Sequence, residues 1–237
     1  MNITFISDTH TKHHELTADL SGGPIIVHAG DVSFRGTRYE IKEFLDWFDS
    51  LPYMHKILIP GNHDFFFDYD RVARTPQGRI RHGNAAHSKE DVDALISEYP
   101  NIHILNDSGV TIEGIRFWGS PITPWFHDWA FNRWTHEIKE HWDLIPEDTD
   151  VLITHGPPYG ILDEVIRGRE NVGCQYLLDK VKQIKPKIHV FGHIHETNGV
   201  EQIDGTVFIN ASSLGFRYDY DNPPIVINYL ELENEQN

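Results

Sequence analysis

Short β-branched and aromatic runs recur along the chain at 3–6, 25–28, 56–59, 115–118, 151–154, 188–191, 206–210 and 225–230, each with the length and composition of a strand. Between several of them the apolar positions change to helical spacing. Ile41, Phe44, Leu45, Phe48 and Leu51 form one such stripe, and Thr37 with Glu40 makes a capping box at its start. Cys174, Leu177, Leu178, Val181 and Ile184 form a second. Val92, Leu95, Ile96 and Tyr99 form a third, which Pro100 stops. Strands alternating with helices predict an α/β fold, and the helix-poor succession near the C-terminus predicts a second, more antiparallel sheet packed on the first. No linker, repeat or shift in composition divides residues 1–237, so one domain is expected.

Five of the apolar runs are followed at once by residues that bind metals: Asp8-x-His10, Gly30-Asp31, Gly61-Asn62-His63-Asp64, His155-Gly156 and Gly192-His193-x-His195. In α/β folds ligands gather outside the carboxyl ends of the strands. Residues i and i+2 of an extended chain project to one side, so Asp8 with His10, and His193 with His195, are expected to aim at one place. Asp31 follows a small Ala29-Gly30 turn that lets the backbone come close, and its carboxylate can bridge two cations. Asn62 offers a neutral oxygen, and His155 ends the run 151–154. Such a mixed nitrogen and oxygen set suits Mn, Fe or Zn better than Ca or Mg. Any one of the 16 histidines is by itself more often structural than ligating; the ordered recurrence at strand ends is what separates this set. His28, His103 and His189 lie inside strand patterns and read as packing residues, whereas His13 and His14 receive no role.

A formal charge of -16 argues against a protein that tracks long nucleic acid, which needs a basic surface. It leaves room for a small phosphorylated substrate, because two divalent cations outweigh their carboxylate ligands locally. The first seven residues lead directly into Asp8, no run approaches a membrane span, and Cys174 stands alone; a cytoplasmic protein is expected, with Cys174 a buried helix residue. Oligomeric state leaves no signal. The irregular stretch 65–90 carries Arg71, Arg74, Arg79, Arg81, His82 and His87 and reads as a solvated surface in preference to a loop over the site.

In their order the five blocks resemble the calcineurin-like metallophosphoesterase superfamily. Gly119-Ser120-Pro121, Pro124-Trp125-Phe126, His155-Gly156-Pro157-Pro158, Val172-Gly173-Cys174, Lys187 through Gly192, and Ile209-Asn210-Ala211-Ser212 are similar to its metallophosphoesterase-domain-containing branch of phosphodiesterases. The resemblance implies a four-layer α/β/β/α sandwich of two mixed β-sheets flanked by helices. It further implies two divalent ions, Mn²⁺ foremost, with Asp8, His10, Asp31 and His195 around one and Asp31, Asn62, His155 and His193 around the other. His63 resembles the residue that sits beside the phosphate and the leaving oxygen without binding metal, and Asn62 also faces the substrate. Two departures stand out. Phe34 occupies the place of a second acid found in many superfamily members, and His193 is present where some members of the branch carry Gly.

The expected function is hydrolysis of small phosphodiesters, such as 2′,3′- or 3′,5′-cyclic nucleotides, by a metal-bridging hydroxide whose pKa coordination lowers to about 7. A phosphomonoesterase or protein phosphatase, and a weakly active nucleotide-binding regulator, are the alternatives. His63 would protonate the departing alkoxide, worth roughly 10²- to 10⁴-fold, and Asp64 would orient its ring. Arg35 would reach a phosphate oxygen. Trp125, Phe126, Trp129, Phe131 and Trp134 are read as packing a long loop in preference to a wall for a nucleobase.

Overall fold

The computed structural model describes residues 1–235 and places two sheets face to face. The first comprises Asn2–Ile6 (β1), Gly23–His28 (β2), Tyr53–Leu58 (β3) and Ile102–Ile104 (β4), all parallel, with Ile225–Asn228 (β15) antiparallel beside β1. The second has a parallel centre, Ile115–Ser120 (β6), Val151–Thr154 (β9), Ile188–Phe191 (β12) and Thr206–Asn210 (β14). Its edges are antiparallel: Ser108–Ile112 (β5) pairs β6 and Gly199–Ile203 (β13) pairs β14. Two ribbons stand apart, Thr123–Pro124 (β7) with Asn132–Arg133 (β8) and Glu164–Val165 (β10) with Glu170–Asn171 (β11).

Strand alternation builds the layers. Ile3 and Phe5 of β1, Ile25 and Val27 of β2, Val151 and Ile153 of β9, and Ile188 and Val190 of β12 meet between the sheets in one apolar cluster. The intervening positions face outward to helices. Ile26 and Leu58 share a cluster with Ile41, Phe44 and Phe48 of Arg38–Ser50 (α1) and with Val92 and Leu95 of Lys89–Ile96 (α3). Leu152, Phe191 and Phe208 join Ile138 and Trp142 of Thr135–Asp143 (α4) and Leu177 and Val181 of Gln175–Ile184 (α5). The molecule is therefore a four-layer α/β/β/α sandwich of two mixed sheets. Two short helices, Pro76–Arg81 (α2) and Tyr229–Glu235 (α6), complete the α-helices among the described residues.

The capping box forms as expected: the Thr37 hydroxyl accepts from Glu40 N–H, and the Glu40 carboxylate accepts from Thr37 N–H. Three expectations need correction. The run 225–230 ends as a strand at Asn228, where α6 begins. β15 joins the first sheet, so the second gains its antiparallel character only at its edges. Cys174 is buried but is the N-cap of α5, where its carbonyl accepts from Leu178 N–H. Among the described residues no helix is long and apolar enough to cross a membrane.

Candidate metal centre

β1, β2 and β3 of one sheet and β9 and β12 of the other release their carboxyl ends toward one rim of the sandwich. The five motifs meet there. The geometry that joins them differs from the extended pairing expected from the spacing. Asp8 and His10 have φ of 52° and 39°, Asp31 57° and His193 69°, so the chain turns sharply through the left-handed region at these residues. Non-glycine residues occupy that region at a cost, and here the packing holds four of them around one point. His195 opens a 3₁₀ turn.

Three groups of side chains lie close enough to hold an ion: Asp8, His10 and His195; His10, Asp31 and His63; and Asp31, His155 and His193. His10 Nε2 is 3.4 Å from His195 Nε2 and 3.6 Å from Asp31 Oδ2. His195 Nε2 is 3.4 Å from Asp8 Oδ1, and His155 Nε2 lies 3.3 Å from Asp31 Oδ2 and 2.9 Å from Asn62 Oδ1. Asp31 thus belongs to groups on both sides. A backbone carbonyl can only accept, so His10 Nδ1 donates to Ser33 O, His155 Nδ1 to Ala29 O and His195 Nδ1 to Gly215 O, at 3.1, 3.0 and 3.3 Å. Each ring is left with Nε2 aimed inward, the arrangement by which outer partners prepare histidines for metals.

The donor set fits divalent cations. Asp8 Oδ1 is buried and accepts no hydrogen bond, while Asp8 Oδ2 is held by His193 N–H at 2.9 Å. Similarly His63 N–H donates to Asp31 Oδ1 at 2.7 Å and leaves Oδ2 facing the histidines. Two glycines permit this closeness: a Cβ at Gly192 would collide with the Asp8 carboxylate, and one at Gly61 with that of Asp31. Without ions the charges lean on one another. Burial works to raise both carboxyls, but His195 and then His155 hold Asp8 well below its usual range, and His155 and His63 do the same for Asp31. Burial opposes the charge on His155, yet Asp31 lifts it to about 9; burial drives His10 down to about 4 and His193 to about 3.

His63 stands at the mouth, its Nδ1 donating to Phe34 O at 2.8 Å and its ring stacked on Trp129 with centroids 4.3 Å apart. Phe34 therefore supplies a main-chain anchor from the position where many superfamily members carry an acid. The expected hydrogen bond between the His63 ring and Asp64 is not formed, since Nδ1 is taken by Phe34 O. The buried Asp64 carboxylate instead accepts from Gly61 N, Val32 N, Ser33 N and Ser33 Oγ, tying the loop after β2 to the loop after β3. Burial, and then the charge of Asp31, push Asp64 up to about 6. Arg35 is likewise outside the main cleft and lines the groove beside it.

The cleft over the candidate ligands has a volume of about 860 Å³. Trp125, Phe126 and Trp129 wall one side, whereas Phe131 is buried and donates its N–H to Asp68; Trp134 stacks on Trp125 at 3.7 Å. The aromatic stretch is thus divided between packing and wall. Phe216 and Tyr218 close the other side, with the Tyr218 ring 5.0 Å from His10 and 4.8 Å from His195. Burial, and then Asp31 and Asp8, raise the Tyr218 phenol to about 12. Neither residue carries a signal in the sequence, because Gly215 through Asp219 is a turn with no periodicity.

The family model of the calcineurin-like phosphoesterase superfamily domain matches residues 1–235, and the chain belongs to that family of metal-dependent phosphoesterases. It is 41% identical over 229 residues to metallophosphoesterase domain-containing protein 1 of Homo sapiens, covering 94% of this chain and 69% of that protein. A UPF0046 protein of Caenorhabditis elegans is 35% identical across 95% of this chain and 74% of its own length. Among solved structures, phosphopantetheinyl hydrolase from Mycobacterium tuberculosis shares the fold with a TM-score of 0.60 at 16% identity, covering 91% of this chain and 89% of that one.

Proposed function

We propose that residues 1–237 form one catalytic domain that hydrolyses small phosphodiesters, cyclic nucleotides among them, with two divalent ions, Mn²⁺ foremost, in the cytoplasm. The observation that carries this reading is Asp31 Oδ2 lying within 3.6 Å of both His10 Nε2 and His155 Nε2, one carboxylate shared by two nitrogen-rich groups. Asp8, His10, Asp31 and His195 would hold one ion, and Asp31, Asn62, His155 and His193 the other. The ions would supply an activated water and neutralise charge on the phosphoryl oxygens.

The chain's own residues do the rest. Because Phe34 O fixes Nδ1–H of His63, its Nε2 faces the cleft, and in the imidazolium form Nε2–H can deliver its proton to the departing oxygen, leaving the neutral ring still bonded to Phe34 O. Asn62 Oδ1 accepts from His155, or gives up that bond to face an ion or the substrate. Asp64 keeps the loops carrying Asp31 and His63 in register and acts as a positioning residue. Trp129, packed between the rings of His63 and His82, supports the His63 ring beside the reacting phosphate. The lone Cys174 and the acidic composition support a reducing compartment and a small substrate over a polymer.

The test is hydrolysis of bis(p-nitrophenyl) phosphate, 2′,3′-cAMP, 3′,5′-cAMP and the monoester p-nitrophenyl phosphate after dialysis against chelator and addition of Mn²⁺. Wild type should turn over at least one diester, and Asp31→Ala should not. Hydrolysis confined to p-nitrophenyl phosphate would make the protein a monoesterase. Tight AMP binding without turnover of any ester would make it a nucleotide-binding regulator.

A further inference from the structure

A second groove, of about 650 Å³, adjoins the cleft and shares His63 and Trp129 with it. Its lining differs sharply from the rest of the molecule. The chain carries 36 acidic against 20 basic residues, yet Arg35, Arg38, Arg71 and Arg81 line this groove with His82 and His87, and no carboxylate does. Segment 65–90 supplies two of the four arginines and both of these histidines, so the stretch that reads as solvated surface in fact borders the site.

The arginines divide into two kinds. Arg71 is structural: it is buried, donates to Gly83 O at 2.7 Å and to Asp128, and lies 5.3 Å over the Phe65 ring. Arg38 is 4.0 Å from Glu98. Arg35 and Arg81, by contrast, are exposed and have no ion-pair partner among the described residues. Between Arg71 and the cleft runs a ladder of rings, with Phe65 stacked on His82 at 5.0 Å, His82 tilted against Trp129 at 4.3 Å and Trp129 stacked on His63 at 4.3 Å. Burial, and then the charges of Arg71 and Arg81, hold His82 below the ordinary histidine range, with Asp128 opposing them.

We propose that this groove binds a second phosphate, carried by the arm of the substrate that departs at His63, so that the preferred diesters bear a terminal phosphate. The inference rests on the phosphodiesterase reading for its orientation. Two free guanidinium forks suit phosphate oxygens, which each can meet in paired hydrogen bonds. The groove is bounded and the rest of the surface acidic, so it fits one added phosphate and not the backbone of a polymer.

Two measurements test the proposal. The first compares kcat/KM, with Mn²⁺, for the dinucleotide ApA and its forms phosphorylated at the 5′ or the 3′ end. Wild type should favour one phosphorylated form at least ten-fold; Arg81→Glu should reduce that preference to within two-fold while its rate on ApA stays unchanged, and Arg81→Lys should retain most of it. The second titrates inorganic pyrophosphate into chelator-treated protein by calorimetry, where Arg81→Glu should weaken binding at least ten-fold. Equal kcat/KM for all three dinucleotides, or pyrophosphate binding that is absent or indifferent to Arg81→Glu, would overturn the proposal. Failure to hydrolyse any dinucleotide would instead count against the phosphodiesterase reading, and the pyrophosphate titration would still decide whether the groove binds phosphate. Arg81 is exposed near the end of α2, so matching melting temperatures are expected for the variants.

Discussion

At the scale of single residues, His63 and Asp64 are neighbours with opposite duties. His63 stands at the cleft mouth, its ring held by the Phe34 carbonyl and the rings of Trp129 and His10, while its link to Asp31 runs through the main-chain N–H and survives truncation of the side chain, so its loss should leave the fold intact. His63→Ala is expected to lower kcat roughly 10²- to 10⁴-fold with unchanged metal content by elemental analysis. Asp64 is the reverse case. Its carboxylate satisfies three buried N–H groups and one hydroxyl, and Asp64→Ala strands all of them. Stability should drop by at least about 2 kcal/mol in urea unfolding, with weaker metal retention as the loops after β2 and β3 separate. A fall in kcat with no loss of stability would show that Asp64 acts on chemistry directly. Both residues lie in one four-residue motif, yet only burial and partners tell them apart, and neither is visible in the sequence.

Among the elements, α1 shows how closely local signals specify structure. Thr37 caps it reciprocally with Glu40, and the same Glu40 carboxylate accepts from Arg35 N–H, linking the helix start to the loop that carries Ser33 and Phe34. Thr37→Ala should cost about 1 kcal/mol, read as a lower urea midpoint, and leave the rate on a small diester nearly unchanged. β9, β12 and β14 begin and end where their apolar runs do, because both faces of each strand are covered and the whole run must be apolar. β5 and β13 are less legible. They are edge strands, half exposed, and Gly109, Glu201 and Gln202 within them break any run. α4 hides for another reason: its buried positions reduce to Ile138 and Trp142 in a stretch otherwise charged. The site was legible as residue types at strand ends, since those types are few and ordered. Its geometry was not, because the left-handed turns at Asp8, His10, Asp31 and His193 depend on contacts across the two sheets.

For the whole molecule, metal and pH act on the same two-sheet frame from different places. Ions that join loops from both sheets should stabilise the fold by mass action, about 2.7 kcal/mol at a hundred-fold excess over the dissociation constant. Mn²⁺ added to chelator-treated protein should therefore raise the melting temperature by several degrees, and Asp31→Ala should abolish most of that rise. Acid acts through the outer layer. His189 on β12 is fully buried against Phe191 and Phe208, its Nε2 within 2.9 Å of Thr154 Oγ1 and its Nδ1 without a partner. Burial alone lowers its pKa from 6.5 to about 3. The unfolded chain accordingly takes up a proton below pH 6.5 that the folded chain refuses until about pH 3, and stability declines as pH falls through that window. The slope from this one residue approaches about 1.4 kcal/mol per pH unit once pH is well below 6.5. His189→Leu removes the titrating group while keeping an apolar side chain in the layer. In urea unfolding at pH 7 and pH 5, wild type should lose roughly 1 to 2 kcal/mol more than the variant between the two pH values. Equal losses would mean that His189 is protonated in the folded chain, which only an opening of the layer between β12 and α5 could allow.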